Sequence, residues 1–244
     1  MIPKIIHYCW FGRGTLPKLA QKCIESWKKY LPDYEIKEWN EDNFDVNIIP
    51  YTQEAYKCKK YAFVSDYARF WILYHYGGLY FDTDVEVVRP MEDIIARGAF
   101  MGFENNGAAP YGVAPGLGLG VNPGQSIYKE ILDYYGKEHF LKCDGSINYT
   151  TVVDRVTGIL FSHGLIGRNE LQKVGDITIY PFDYFCPIRT TDGKLVMTKN
   201  TYTIHHYAAS WTSPTHRFLR KFLLFIGGAR LKCWISTHFS FLQK

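Results

Sequence analysis

The spacing of apolar residues over the first forty positions predicts a β-α-β unit. Residues 5–8 form a short apolar run typical of a buried strand, and residues 16–30 carry apolar side chains at helical spacing. Pro17 stands where a helix begins, and residues 34–39 alternate as a second strand does. This order is typical of a parallel sheet that opens a nucleotide-binding α/β fold.

The next pattern predicts a long helix followed by a strand that ends in two acids. Residues 61–76 have the length and apolar content of a helix, and Gly77-Gly78 follow in the position of a C-terminal cap. An apolar stretch at 79–81 then leads directly into Asp82-Thr83-Asp84. The two carboxylates should therefore lie at the carboxyl end of a strand, where open α/β sheets bind their ligands.

The remaining pattern completes one α/β domain over residues 1–215. Further strands are expected at 100–103, 117–121, 178–180 and 202–206, and helices at 125–135 and 149–163. Residues 104–116 are rich in Gly, Ala, Asn and Pro and predict a long mobile loop of the kind that often covers a site.

The segment 216–244 predicts a basic amphipathic tail. Between Arg217 and Lys244 there is no acidic residue, and apolar side chains alternate with arginine and lysine at helical spacing. The tail is either a terminal helix packed on the domain or a peripheral contact with anionic lipid through residues 217–244.

Composition narrows the class of protein without identifying it. The 244 residues suffice for one domain with a substantial core, and a net charge of +4 does not indicate a nucleic-acid partner. The six cysteines form no Cys-x-x-Cys pair, which argues against a zinc knuckle. The first residues lack the apolar stretch of a signal peptide, so we expect a cytoplasmic protein, peripheral to the inner membrane face if the tail binds lipid.

Asp82 and Asp84 are candidates for holding a divalent cation. In an extended segment, residues two apart point the same way, so both carboxylates could face one ion. Hard oxygen ligands suit Mg²⁺ or Mn²⁺, which would neutralise the charge of a leaving nucleoside diphosphate. The alternative is a solvated loop end, but two acids directly after an apolar strand are unusual in that role.

Four other residues carry candidate chemistry. Asp66 and Arg69 lie on one face of the predicted helix, as an ion pair or as groups that bind a sugar and a diphosphate. His206 either completes the metal ligands or is structural. Trp10, after the first strand, either stacks on a nucleobase or packs in the core.

Together these segments resemble glycosyltransferase family 32, the sugar-binding family that contains the DXD motif, and its bacterial members that build capsular or other surface polysaccharide. The matching segments are Ile2-Pro3-Lys4-Ile5-Ile6-His7, Ser65-Asp66-Tyr67-Ala68-Arg69, Gly77-Gly78-Leu79-Tyr80-Phe81-Asp82-Thr83-Asp84, and His205-His206 through Ser210-Trp211. The resemblance implies a GT-A fold, a Rossmann-like mixed sheet flanked by helices. It also implies a cation, often Mn²⁺, and transfer with retention at the anomeric carbon.

The resemblance also assigns roles to residues. Asp84 and His206 would hold the metal, with Asp82 contacting ribose and sugar as well as the ion. Asp66 and Arg69 would hold the donor sugar and share the catalytic role with Asp82 and Asp84. The remaining donor-binding residues would be His7, Trp10, Ser210 and Trp211, with Trp10 beside the base.

The donor, the acceptor and the reaction class each leave an alternative. We expect a UDP-hexose or UDP-N-acetylhexosamine as donor, with GDP-mannose as the second candidate, and a polyprenyl-linked saccharide as acceptor. If retention proceeds through a carboxylate nucleophile, Glu104 is a candidate. The alternatives from other classes of protein are a phosphatase of the haloacid-dehalogenase class and a non-catalytic carbohydrate-binding module.

Overall fold

The computed structural model describes residues 1–208, so Ser210, Trp211 and the predicted tail 216–244 lie outside the described residues. Over residues 1–208 the strands are β1 (Ile5–Cys9), β2 (Glu35–Trp39), β3 (Gly78–Tyr80), β4 (Val85–Val87), β5 (Phe100–Gly102), β6 (Leu119–Val121), β7 (Gln172–Val174), β8 (Ile177–Tyr180) and β9 (Thr203–His205). The helices of that range are α1 (Lys18–Tyr30), α2 (Pro50–Lys57), α3 (Tyr61–Tyr76), α4 (Glu92–Ile95), α5 (Ser126–Tyr135), α6 (Val152–Ser162) and α7 (Phe182–Phe185).

Seven of the strands form one mixed sheet. Their order is β2-β1-β3-β6-β5-β8-β7, with β1 parallel to both of its neighbours and β6 antiparallel to β3 and β5. The predicted β-α-β opening and mixed sheet are therefore confirmed. Strands β4 and β9 pair separately in an antiparallel ladder that places Val85 opposite His205.

Helix α3 is the central helix of the fold. Nine of its side chains are buried, because it packs on α2, α5 and the strands β1 and β3. It ends at Gly77, whose φ of +63° is accessible mainly to glycine and whose N–H bonds to the Leu73 carbonyl. At Gly78 a Cβ would lie 2.7 Å from the Ile5 carbonyl oxygen. The glycine pair thus turns the chain and lets β3 run close beside β1.

The His7 side chain holds β1 to its neighbours. The ring is 1% exposed, its Nε2 lies 3.0 Å from the Gly77 carbonyl oxygen, and its Nδ1 accepts a hydrogen bond from Trp39 Nε1 at 3.0 Å. These partners require the neutral tautomer with the proton on Nε2. Burial lowers the pKa of His7 from 6.5 to about 4, because a charged ring would be desolvated there.

Three features differ from the sequence-based expectation. The segment between β3 and β4 is a turn closed by a bond from the Val85 N–H to the Asp82 carbonyl, not an extended strand. Helix α2 was not anticipated, because its short run lacks a clear apolar period and is fixed by packing on α3. The loop 104–116 is exposed only in part, since residues 113–116 are buried.

Over residues 1–208, no helix combines the length and apolarity needed to cross a bilayer.

The buried His7 predicts a specific loss of stability in acid. The unfolded chain takes up the proton as pH falls below about 6.5, whereas the folded chain resists it down to pH 4, so the free energy of unfolding falls across this interval. We expect wild type to lose about 2 kcal/mol more than His7→Gln between pH 7 and pH 5. Urea unfolding at both pH values measures this, and parallel losses in the two proteins would contradict the assignment.

Candidate functional site

One arginine joins two carboxylates at the carboxyl end of β3. Arg69 Nη2 lies 2.9 Å from Asp66 Oδ1, and the same atom lies 3.3 Å from Asp82 Oδ1. The Arg69 guanidinium also covers the ring of Tyr80 at 4.9 Å, and the Tyr80 hydroxyl donates to Asp82 Oδ1 at 3.2 Å. The predicted Asp66–Arg69 pair is present, and it extends to the first acid of the DXD motif.

The charges of this group do not cancel. Burial is the largest influence on Asp66 and raises the pKa of its carboxyl to about 7, against the opposing pull of Arg69. Burial is also the largest influence on Arg69 and opposes its charge, but Asp82, Tyr80 and Asp66 together outweigh it and raise the pKa of the guanidinium. With one cation facing two acids, ionisation of both leaves an excess negative charge that favours a further cation nearby.

Gly116 lies directly against the backbone and the carboxylate of Asp82. The Gly116 carbonyl accepts the Asp82 N–H at 3.2 Å, and a Cβ on Gly116 would lie 2.1 Å from Asp82 Oδ2. The same Cβ would approach Arg69 Nη1 to 3.4 Å. Only glycine leaves room for the carboxylate here. The sequence pointed to a mobile loop, and the need for glycine appears only when the loop is folded against β3.

The second acid of the motif meets a histidine from β9. Asp82, Asp84 and His205 each offer one ligand atom, and these atoms all lie within 4.8 Å of one another. His205 Nε2 lies 3.1 Å from Asp84 Oδ1. Two carboxylate oxygens and an imidazole nitrogen are a ligand set that divalent ions such as Mn²⁺ accept. His205 Nδ1 is buried and has no hydrogen-bond partner among residues 1–208.

Asp84 is held as an ionised acceptor. Its Oδ2 accepts the Ala208 N–H at 2.7 Å, and its backbone carbonyl accepts the His206 N–H at 3.0 Å. Burial would raise the pKa of Asp84, but His205 and the Ala208 N–H outweigh it and lower the pKa to about 2. The chain after β9 therefore wraps around the carboxylate that the sequence assigned to the metal.

His206 is not placed beside the two aspartates, in contrast to the expectation from the sequence. Its Nε2 lies 2.8 Å from Glu86 Oε2, and Glu86 also pairs with Lys22 at 3.0 Å. Adjacent residues of a strand point to opposite faces, so the β4–β9 ladder directs His205 toward Asp84 and His206 away from it. The sequence pair His205-His206 gave no signal for choosing between them.

His7 and Trp10 lie in different surroundings. Both ring nitrogens of His7 are engaged in the core, so its side chain has none to offer a donor, which corrects its assignment as a donor-binding side chain. Trp10 directly follows β1, is half-buried, and donates from Nε1 to the Gly14 carbonyl at 2.6 Å. It keeps a position at the strand-end edge of the sheet, where its proposed contact with a base stays a prediction.

Glu104 is linked to His205 through the side chain of Tyr207. The Tyr207 hydroxyl donates to Glu104 Oε1 at 3.1 Å and lies 2.9 Å from Cys186 Sγ. Burial raises the pKa of Tyr207, so the hydroxyl keeps its proton for this bond. Tyr207 has φ of +48°, and its ring meets that of His205 at 4.2 Å. Tyr207 was not singled out in the sequence, although it follows the histidine pair directly.

Comparisons of the sequence point to glycosyltransferases. The model of the glycosyltransferase sugar-binding region containing the DXD motif matches residues 17–101. An uncharacterised glycosyltransferase of Acanthamoeba polyphaga mimivirus is 28% identical over 93% of this chain and 92% of its own length. A mannosyl phosphorylinositol ceramide synthase of Saccharomyces cerevisiae is 25% identical over the whole chain and 65% of its own length. These relatives are viral and fungal, so a bacterial capsular role stays a prediction.

A further fungal relative is matched over a shorter part. An inositol phosphoceramide mannosyltransferase of Schizosaccharomyces pombe is 29% identical over 41% of this chain, which spans 33% of that protein. Among solved structures, a glycosyltransferase involved in glycosylation of the major capsid of PBCV-1 superposes with a TM-score of 0.51 at 13% identity. That alignment covers 92% of this chain and all of the other. The chain has the GT-A fold, as predicted.

The contact between Gly116 and Asp82 can be tested by a single methyl group. We expect Gly116→Ala to cost about 1–3 kcal/mol of stability because the methyl group forces Asp82 from its place. Gly158→Ala is the matched control, because its Cβ would meet open space on helix α6 and should stabilise by about 0.5–1 kcal/mol. Thermal unfolding of both variants measures this, and equal stability of the two would refute the contact.

Proposed function

We propose that this chain is a metal-dependent glycosyltransferase that moves a sugar from a nucleoside diphosphate donor to a hydroxyl acceptor. The observation that carries the proposal is the meeting of Asp82, Asp84 and His205 beside the buried Asp66–Arg69 pair at one sheet edge. The family match, the relatives and the GT-A fold support the same class of reaction.

The residues divide the donor between them. Asp84 and His205 would hold the cation, which when bound neutralises charge on the diphosphate. Both Asp82 oxygens lie near Arg69, at 3.3 and 3.4 Å from its Nη2 and Nη1, so Asp82 would complete the metal ligands with an oxygen that also faces Arg69. Contacts of Asp82 with ribose and sugar would then depend on both the ion and Arg69. The buried Asp66 carboxyl, held beside Arg69, would accept hydrogen bonds from sugar hydroxyls when the donor is bound.

Retention at the anomeric carbon is part of the proposal. We infer a front-face route, in which the bond from the anomeric carbon to the phosphate oxygen breaks as the bond to the acceptor oxygen forms. The acceptor proton passes to the departing phosphate. Glu104 supports the alternative of a carboxylate nucleophile less well, because its Oε1 already accepts from the Tyr207 hydroxyl.

The donor is proposed at two levels. The resemblance favoured a UDP-hexose or UDP-N-acetylhexosamine, with GDP-mannose second. The fungal relatives are named as mannosyl-transferring enzymes, which supports mannose as the sugar. We therefore give GDP-mannose equal standing with the uridine donors. For the acceptor, a polyprenyl-linked saccharide at the cytoplasmic membrane face remains the proposal, with peripheral contact through residues 217–244.

The other classes of protein are less well supported. A haloacid-dehalogenase phosphatase places its Asp-x-Asp after the first strand, whereas here the motif follows β3. A carbohydrate-binding module would bind sugar without nucleotide, so it would not need a cation to hold a diphosphate. Release of phosphate from simple esters, or binding of sugar without nucleotide, would identify either of them.

The two neighbouring histidines provide a matched test of the metal site. We expect Asp84→Asn and His205→Ala to lower kcat/KM by at least about 100-fold at standard Mn²⁺, because each removes a ligand. His206→Ala should change it by less than about threefold, because it only removes a partner of Glu86 near the surface. Transfer or donor hydrolysis measures both. A larger loss of kcat/KM in His206→Ala than in His205→Ala would identify His206 as the metal ligand instead.

The donor can be identified by calorimetry and a hydrolysis screen. We expect one of UDP and GDP to bind with Mn²⁺ present and to lose most of its affinity with EDTA, because the diphosphate is held through the ion. Hydrolysis should then be confined to sugars on that nucleotide, screened across GDP-mannose, UDP-galactose, UDP-glucose and UDP-N-acetylglucosamine. Equal binding of UDP and GDP with and without metal would contradict the proposed site, and the anomeric configuration of the product tests retention.

A further inference from the structure

A short hairpin over residues 187–197 carries three consecutive exposed apolar side chains. Leu195, Val196 and Met197 are 48%, 44% and 51% exposed. Single exposed apolar residues are common on protein surfaces, but a run of three consecutive ones on an ordered segment is not. Such a run indicates a surface that is covered by something apolar when the protein works.

The exposure belongs to an ordered segment. The Arg189 N–H donates to the Lys194 carbonyl at 3.0 Å, and the Val196 N–H donates to the Pro187 carbonyl at 3.0 Å. Ile188 and Leu195 form an antiparallel bridge between the two arms. The hairpin therefore presents its apolar side chains from a backbone that is already closed by hydrogen bonds.

The turn of the hairpin and the residue before its first arm are both joined to the candidate donor site. The Thr190 N–H donates to the Asn105 carbonyl at 2.8 Å, which ties the hairpin to the residue after Glu104. At its start, Cys186 Sγ lies 2.9 Å from the Tyr207 hydroxyl, and the next residue, Ala208, bonds to Asp84. The hairpin arm that carries Leu195, Val196 and Met197 is thus linked through two short connections to the residues around the metal site.

The charged residues beside Leu195, Val196 and Met197 suit contact with an anionic surface. Residues 187–199 contain Arg189, Lys194 and Lys199 against one acid, Asp192, which pairs with Arg189 at 3.0 Å. Lys194 and Lys199 are exposed on either side of the three apolar residues. An apolar group flanked by ammonium groups suits the lipid interface, where the apolar side chains enter and the cations meet phosphate headgroups.

We propose that the hairpin 187–197 inserts Leu195, Val196 and Met197 into the interface of an anionic bilayer. The hairpin would then orient the donor site toward an acceptor carried by that membrane. The delivery of a lipid-linked acceptor rests on the proposed function, but the bilayer contact does not. This contact is distinct from the one proposed for residues 217–244, which lie outside the described residues.

A polarity-sensitive fluorophore attached at residue 197 tests the bilayer contact without an activity assay. The full chain carries Met197→Cys in a background of Cys58→Ser, Cys143→Ser and Cys233→Ser, since Cys9, Cys23 and Cys186 are buried. We expect a blue shift with vesicles of phosphatidylcholine and phosphatidylglycerol in equal parts, and a smaller one with phosphatidylcholine alone. Ile48→Cys in the same background is the matched control, because Ile48 is 37% exposed and precedes α2, and it should not shift.

The affinity for the same vesicles gives a second measurement. We expect the full chain with Leu195→Ser, Val196→Ser and Met197→Ser to bind at least about tenfold more weakly, because the apolar area entering the interface is removed. Lys194→Glu should weaken binding to anionic vesicles only. Donor hydrolysis should be unchanged in these variants, so loss of vesicle binding and failure of the proposed reaction are separate results.

Three results would overturn the proposal. The first is a label at residue 197 that stays in water on both kinds of vesicle. The second is a triple serine variant with the affinity of wild type, which would leave the whole contact to another part of the chain. The third is a blue shift that rises with protein concentration in the absence of vesicles. That result would show that Leu195, Val196 and Met197 form an interface between copies of the chain.

Discussion

The Arg69 guanidinium, held between Asp66 and Asp82, is the interaction on which the site depends. A buried cation of this kind is stable only when its partners are in place, and a buried carboxylate without a partner is costly. The group therefore fixes the middle of α3, the end of β3 and the loop at Gly116 relative to one another. When Asp66 and Asp82 are both ionised, their surplus negative charge also makes the neighbouring space favourable for a cation.

The surrounding structure serves to bring these groups to one point. The glycine pair after α3 turns the chain back along β1, so that β3 ends beside the helix that carries Asp66 and Arg69. The separate β4–β9 ladder then delivers His205 to Asp84 from a position more than one hundred residues later in the chain. Neither carboxylate of the DXD turn depends on an extended backbone, because the turn itself directs both toward the same place.

The proposed donor site and the proposed lipid contact are joined by short contacts. Tyr207 lies between them, with its ring against His205 and its hydroxyl on Glu104 and Cys186. The hairpin that begins just after Cys186 presents apolar groups outward, whereas the Ala208 N–H, directly after Tyr207, donates to Asp84. A nucleotide donor from solution and an acceptor from a membrane would therefore reach the reacting centre from different sides.

The sequence by itself determined the elements whose signal is local. The period of apolar residues gave the β-α-β opening and the bounds of α3, and the spacing of Asp66 and Arg69 on that helix gave their ion pair. It also placed two acids at the end of a buried strand. These features follow from helix and strand geometry, which acts over a few residues and can be read without knowing the fold.

Only the tertiary structure decided the choices that depend on distant parts of the chain. Which of two adjacent histidines faces Asp84 is set by the register of β9 on β4, and a shift of one residue would exchange them. The burial of His7 depends on Trp39 and Gly77, and the need for glycine at 116 depends on Asp82. Such constraints arise from contacts between segments far apart in sequence, and no local pattern records them.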